Sequence, residues 1–253
     1  MDGYAGLSCG GEHTLFVDRR GGLASAGACG LGWSGSQPDA QAPATLDRRA
    51  HPCAVSTFLT AVARQTLPPM RKAVGGYYHS MAISTAGKLY SWGCGNFGTE
   101  NDGQLGLGAD KLESLSPREV ELPLGSGEQV VDAATGCYHS AVLTSQRRVF
   151  TFGLNNYGQL GRGGIPAGAA VPRSPTGISA EGDTASSYSD GVPRLVDGST
   201  TSGSGSAASE VQAIGAGFYN VYQLTRGGGM RCAGSNAARQ CGSATATHTA
   251  ATE

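Results

Sequence analysis

Short stretches along this chain alternate apolar and polar residues, and four of them share one register. Each is marked by a single polar residue: His13, His79, His139 and Asn220. Two and four positions beyond the marks stand Leu15 and Val17, Met81 and Ile83, Ala141 and Leu143, and Tyr222 and Leu224. A period of two puts each pair on one face of a half-buried β-strand. Polar turns follow at Asp18–Gly21, Thr85–Gly87, Ser145–Arg147 and Arg226–Gly228. A second strand follows each turn, clearest in Lys88–Trp92 and Arg148–Phe152. The pattern predicts four β-hairpins.

Glycine fixes the same register more firmly. Gly10, Gly76, Gly136 and Gly217 each stand three residues before a mark, and Gly27, Gly93, Gly153 and Gly234 stand fourteen after one. The second set is expected to end the second strand, where the backbone needs positive φ or a close approach. The marks lie about 60 to 80 residues apart. The linkers add a weaker shared element, Pro117–Val120 before Val130–Ala134 and Pro193–Val196 before Val211–Ile214. These read as an outer strand and the return to an inner one. A four-stranded unit repeated in this way is a propeller blade, which makes the fold class all-β. The units fall around 4–35, 70–108, 128–163 and 210–242, within propeller repeats covering 1–242. Between them lie a loop insert at 36–52 and a Ser/Gly-rich flexible insert at 174–209, and a mobile tail is expected at 243–253. Ala54–Ala63 fits a strand or a short helix equally well.

The residues then carry a resemblance. Lys88–Gly98 with Gly103–Gly106, and Arg148–Gly161 with its Gly-Gln-Leu-Gly ending, resemble the repeat of the regulator of chromosome condensation family. Gly10–Thr14, Gly76–Ser80 and Gly136–Ser140 match the opening of that repeat. The first and fourth copies are degraded: the first lacks Gly-Gln-Leu-Gly, and the fourth has Asn220 for histidine and Arg239–Gly242 at its end. The resemblance implies a β-propeller, and the family's form has seven blades. Four are visible here, so three arrangements stand open: an incomplete arc, a small closed ring, or a ring completed by a second chain. An open arc is expected to leave strand edges for a partner or the tail to cover.

Composition narrows the function. Of 253 residues 41 are glycine and only 15% are charged, which excludes long helical or coiled-coil designs. A net charge of −1 argues against nucleic acid or chromatin as the partner. No apolar run is long enough for a membrane span, and Met1–Tyr4 opens no signal or transit peptide, so an intracellular place is expected, in the cytoplasm or a cytoskeletal or ciliary assembly. The seven cysteines are irregularly spaced without a CxxC, so free structural thiols in a reducing compartment are expected and no metal site. Gly93–Gly98 spells GxGxxG, but the glycines after it prevent the helix a dinucleotide needs, so no cofactor is expected.

One histidine per blade at one strand position reads as a hydrogen-bonded core residue, joined as a repeat position by Trp92 and Phe152. No catalytic residues are expected. Tyr77, Tyr78, Tyr138, Phe218 and Tyr219 cluster just before the marks, and blade packing and a partner face explain them equally well. The expected function is a non-enzymatic protein-binding scaffold of unknown partner. The alternative drawn from the resemblance is nucleotide exchange on a small GTPase of the Ran type, as in the founding member of the family.

Overall fold

The computed structural model describes residues 3–11, 13–27, 67–94, 103–108, 113–162, 189–196, 209–242 and 249–252. The loop insert at 36–52 and Ala54–Ala63 lie outside them. Fifteen strands and no α-helix occur among the described residues. They form four antiparallel sheets. The first is β1 (Tyr4–Cys9), β2 (His13–Asp18) and β3 (Leu23–Gly27); the second is β4 (Met70–Gly75), β5 (His79–Ser84), β6 (Leu89–Cys94) and β7 (Glu113–Glu119). The third is β8 (Val130–Thr135), β9 (His139–Thr144), β10 (Val149–Leu154) and β11 (Ser189–Leu195); the fourth is β12 (Val211–Ala216), β13 (Asn220–Thr225), β14 (Met230–Gly234) and β15 (Thr249–Thr252).

Two expectations change here. Thr249–Thr252 pairs with β14 as the outer strand of the fourth sheet, so the segment beyond 242 is not all tail. Ser189–Leu195, inside the supposed flexible insert, pairs with β10 as the outer strand of the third. Small and polar residues disguise both strands, because an outer strand has little core to face.

The sheets stack as blades of an incomplete propeller arc. Leu15, Val17 and Leu23 of the first blade pack on Ala73, Ala82, Tyr90 and Trp92 of the second. Met81, Ile83 and Leu89 of the second meet Ala133, Val142, Phe150 and Phe152 of the third. Leu143 and Val149 of the third meet Val211 and Ile214 of the fourth. β5 and β9 are buried on both faces, unlike the half-buried strands the alternation predicts, because a blade lies on either side. Where no blade follows, the same register position is bare: Leu224 is 43% exposed, whereas its equivalent Leu143 is 1% exposed. What the arc leaves uncovered is therefore sheet face, including Leu7 and Tyr4 on the first blade and Met230 on the fourth.

The histidines tie blade to blade. His13 Nε2 lies 2.7 Å from Ser80 Oγ, and His79 Nε2 lies 2.8 Å from Ser140 Oγ. Ser140 Oγ donates its own proton to the Gln104 carbonyl at 2.8 Å, so it must accept from His79 Nε2–H. In the third link His139 Nε2–H donates to the Asn220 carbonyl at 3.1 Å. Each ring rests on the glycine three residues before it, with His79 Nδ1 2.8 Å from where a Cβ on Gly76 would stand.

β3 and β14 end at Gly27 and Gly234 as expected, whereas β6 and β10 run one residue beyond Gly93 and Gly153, which mark β-bulges. Both have φ near 110°, at 109° and 112°, and a Cβ on Gly93 would stand 2.8 Å from the Tyr78 carbonyl oxygen. The close approach is what the glycine permits.

One ion pair fastens the link from the second blade to the third. Glu128 accepts from Arg148 Nε at 2.9 Å, from Arg148 Nη2, and from Gly125 N–H at 2.8 Å. Burial opposes its ionisation, yet these donors hold the Glu128 pKa at about 2. Arg148 also covers the Phe150 ring at 5.0 Å. Its side chain is 23% exposed and that of Glu128 fully buried, so Arg148→Met strands a buried carboxylate beside partly screened surroundings. The expected loss is about 2 kcal/mol at neutral pH, read as a lower urea midpoint. Glu128→Gln and Arg148→Met together should cost less than Arg148→Met alone.

Candidate functional site

The turn before each marked residue is pinned at a blade junction. Gly11 N–H donates to the Gly76 carbonyl at 3.0 Å, Tyr77 N–H to Gly136 at 3.3 Å, and Cys137 N–H to Phe218 at 3.1 Å. These bonds run from each blade to the next and draw the four turns together at the inner rim. The residues beside the turn glycines therefore converge, and in this chain they are aromatic.

The result is a continuous ladder of six rings. Tyr138 stacks on Tyr78 at 5.5 Å, and Tyr78 meets Tyr77 edge-on at 4.5 Å. Tyr77 reaches Phe218 of the fourth blade at 5.5 Å, Phe218 meets Tyr219 at 4.7 Å, and Tyr219 meets Tyr157 at 4.8 Å. All five aromatics singled out from the sequence lie in it. Tyr157 joins as a sixth. Its signal is the strand exit: Leu154 N–H donates to the Tyr138 carbonyl at 2.8 Å, as Ser235 N–H does to Tyr219 at 3.1 Å. That repeated bond folds each exit loop against its own turn, and Tyr157 rides on one such loop.

The ladder is covered at both ends and open in the middle. Tyr157 is buried, Tyr78, Tyr138 and Tyr219 are half-buried, and Tyr77 and Phe218 are 37% and 50% exposed. Burial, with the neighbouring Cys137 and Tyr78, pushes the Tyr138 phenol far above its usual range. It stays neutral at any physiological pH. Packing accounts for the two ends of the ladder, and an exposed π surface held by a rigid rim is left at its centre, on Tyr77 and Phe218.

The remaining sequence candidates are structural. His13, His79 and His139 are 0–3% exposed, and burial holds their pKa values at about 4, 3 and 4. They are neutral and enclosed beneath the turns that carry the ladder. Trp92 and Phe152 are fully buried between blades. Of the GxGxxG glycines only Gly93 lies among the described residues. The cysteines depart in part from the expected thiols: Cys232 and Cys241 are disulfide-bonded, while Cys9 and Cys137 are outside any disulfide. An irregular spacing hides such a pair because β-strand pairing, not sequence distance, brings the sulfurs together.

Comparison with known proteins agrees with the blade architecture. The family model described as regulator of chromosome condensation (RCC1) repeat matches residues 86–143 and 148–217, and a second model of that repeat matches 71–99 and 130–159. The ultraviolet-B receptor UVR8 of Arabidopsis thaliana is 30% identical over 164 residues, covering 62% of this chain and 31% of that protein. The protein RCC2 homolog of Danio rerio is 32% identical over 173 residues, covering 61% and 32%. Among solved structures, yeast RCC1 (Prp20) bound to Kap60 superposes with a TM-score of 0.67 at 17% identity, over 98% of this chain and 47% of that one. Human WBSCR16 gives 0.62 at 22% identity, over 92% and 47%. The chain thus spans about a third of these curated relatives and about half of these solved chains. With both family models falling on the observed blades, the chain belongs to the regulator of chromosome condensation (RCC1) repeat family.

Proposed function

We propose that this chain is a non-catalytic protein-binding propeller module that engages its partner with the exposed central pair of the aromatic ladder. One observation carries the reading: Tyr77 and Phe218, from blades that are not neighbours, meet at 5.5 Å while both remain open to solvent. Aromatic side chains with few rotatable bonds, held on hydrogen-bonded turns, are the usual anchors of protein interfaces. One solved relative is consistent with partner binding: yeast RCC1 (Prp20) is seen bound to Kap60 and is described with binding properties to Gsp1p and histones. The same reading puts the protein inside the cell, in the cytoplasm or a cytoskeletal or ciliary assembly.

Affinity capture from its native cells, with wild type beside Tyr77→Ala and Phe218→Ala combined, tests the ladder. Loss of one or two such anchors is expected to weaken partner capture by about 10- to 100-fold while the melting temperature stays put. Undiminished capture by the folded double variant would remove the ladder from the reading. The alternative, exchange on a Ran-type GTPase, draws on family membership. It requires faster release of a fluorescent guanine nucleotide from that GTPase when the chain is added, and an unchanged rate would sink it.

A further inference from the structure

The disulfide sits where the second and third blades make a hydrogen bond. Ser91, twelve residues past its marked histidine, donates to the Leu105 carbonyl at 2.6 Å. Thr151, twelve past His139, donates to the Leu160 carbonyl at 2.7 Å. Each bond ties the second hairpin strand to the loop that leaves it. In the fourth blade the corresponding pair is Cys232 and Cys241, and the tie is covalent.

The two loops are otherwise built alike. Leu160 N–H donates to Asn155 Oδ1 at 2.9 Å, and Cys241 N–H donates to Asn236 Oδ1 at 3.0 Å. Tyr157 N–H donates to Gln159 Oε1 at 2.9 Å, and Ala238 N–H donates to Gln240 Oε1 at 2.8 Å. What the fourth loop lacks is the apolar plug, since Leu105 and Leu160 are each 1% exposed and Cys241 replaces that leucine. Without the disulfide its tie would be a thiol, a weak donor, and a short side chain in place of a filled core.

Access and polarity both favour exchange. Cys241 is partly exposed while Cys232 is 3% exposed, so an incoming thiolate meets Cys241 first. Asn220, which stands where the other blades carry histidine, directs Nδ2 to 3.9 Å from Cys232 Sγ and 3.6 Å from Cys241 Sγ. That amide N–H is placed to stabilise a thiolate leaving at Cys232.

We propose that Cys232–Cys241 is a thiol–disulfide exchange site for a dithiol reductant, and that its state sets the order of loop 235–242. One thiolate of the reductant attacks Cys241 Sγ, the Cys232–Cys241 bond breaks, and Cys232 leaves as a thiolate that takes up a proton. The second thiol of the reductant then displaces Cys241, which also becomes a thiol. The protein gains two electrons and two protons, and the reductant becomes a disulfide.

The test uses the full chain under native conditions, before and after dithiothreitol. Before reduction, iodoacetamide should leave Cys232 and Cys241 unlabelled; afterwards both should label. Hydrogen exchange in 235–242 should quicken on the order of a hundredfold, the loop-closure effect expected of a ring this size. The matching third-blade loop, 154–161, should not change. Cys232→Thr with Cys241→Leu restores the third-blade pair and should exchange slowly in either condition. Labelling of both cysteines without reductant, equal exchange in the two states, or a response surviving in the Thr/Leu variant would overturn the proposal. So would a change spreading equally to 154–161.

Discussion

Lowering the pH from 7 to 4 is expected to destabilise the blade arc steeply below about pH 6 and to unfold it between about pH 5 and 4. The cause is three histidines that the fold keeps neutral. In the unfolded chain each titrates near 6.5, whereas burial holds His13, His79 and His139 at about 4, 3 and 4, the last two also being fully enclosed. Mutual repulsion of the imidazoles adds to the depression at His79. Their neutral state therefore leaves stability intact above pH 6.5. Below it, the unfolded chain takes up protons that the folded chain refuses, and stability falls until pH reaches the folded values. With three such groups the loss is about 4 kcal/mol per pH unit near pH 5 and on the order of 10 kcal/mol in all. A domain of this size has a comparable total stability, so the fold gives way before its histidines charge in place.

Geometry explains why they refuse the proton. The Nε2–H groups of His79 and His139 are already committed to Ser140 and the Asn220 carbonyl, so a new proton must go to Nδ1. Nδ1 of each faces its turn glycine and has no acceptor among the described residues. Circular dichroism across this range reads the transition, and urea unfolding at pH 5 in weak buffer should take up about three protons per chain. A melting temperature flat between pH 7 and 5 would contradict the account. Glu128, whose pKa is lowered to about 2, adds its own loss only below pH 4.5.

The hairpins were legible because their signal is local. The apolar pair beyond each mark, the polar turn and the two glycines recur in four copies, and recurrence separates constraint from a glycine-rich background. Outer strands β11 and β15 were harder, since Ser189–Leu195 and Thr249–Thr252 are mostly small or polar and show no clear alternation. Tyr157 and the disulfide were legible only by register comparison: each becomes visible once the fourth blade is laid on the third position by position. Which aromatics would be exposed was not legible at all. Tyr77 and Tyr78 are adjacent and identical, and only the crossing to Phe218 opens one and half-buries the other.

That same register sets two glycines apart that sequence treats as one. Gly136→Ala is expected to cost about 4 kcal/mol or more, and Gly217→Ala less than about 1 kcal/mol. A Cβ on Gly136 would press into the His139 ring, standing 2.6 Å from Nδ1, and would lie 2.7 Å from the Gly217 carbonyl oxygen. Neither can retreat. The ring is fully buried and held by its Nε2–H bond to Asn220, and the carbonyl belongs to a turn that Cys137 N–H ties down through Phe218. At Gly217 the marked residue is asparagine, which turns its amide to the Ser235 carbonyl, and the nearest atom to a new Cβ is 3.8 Å away. Gly217 is also free of a left-handed φ, so alanine there narrows the unfolded ensemble without straining the folded one. The glycine is thus demanded by the histidine rather than by the turn. Adding His139→Asn to Gly136→Ala should recover at least about 1 kcal/mol relative to the sum of the single losses, while the carbonyl contact keeps the rescue incomplete. Urea midpoints for the four proteins and for Gly217→Ala measure this. Equal costs at 136 and 217, or strict additivity in the cycle, would show that the turn and not the ring selects glycine.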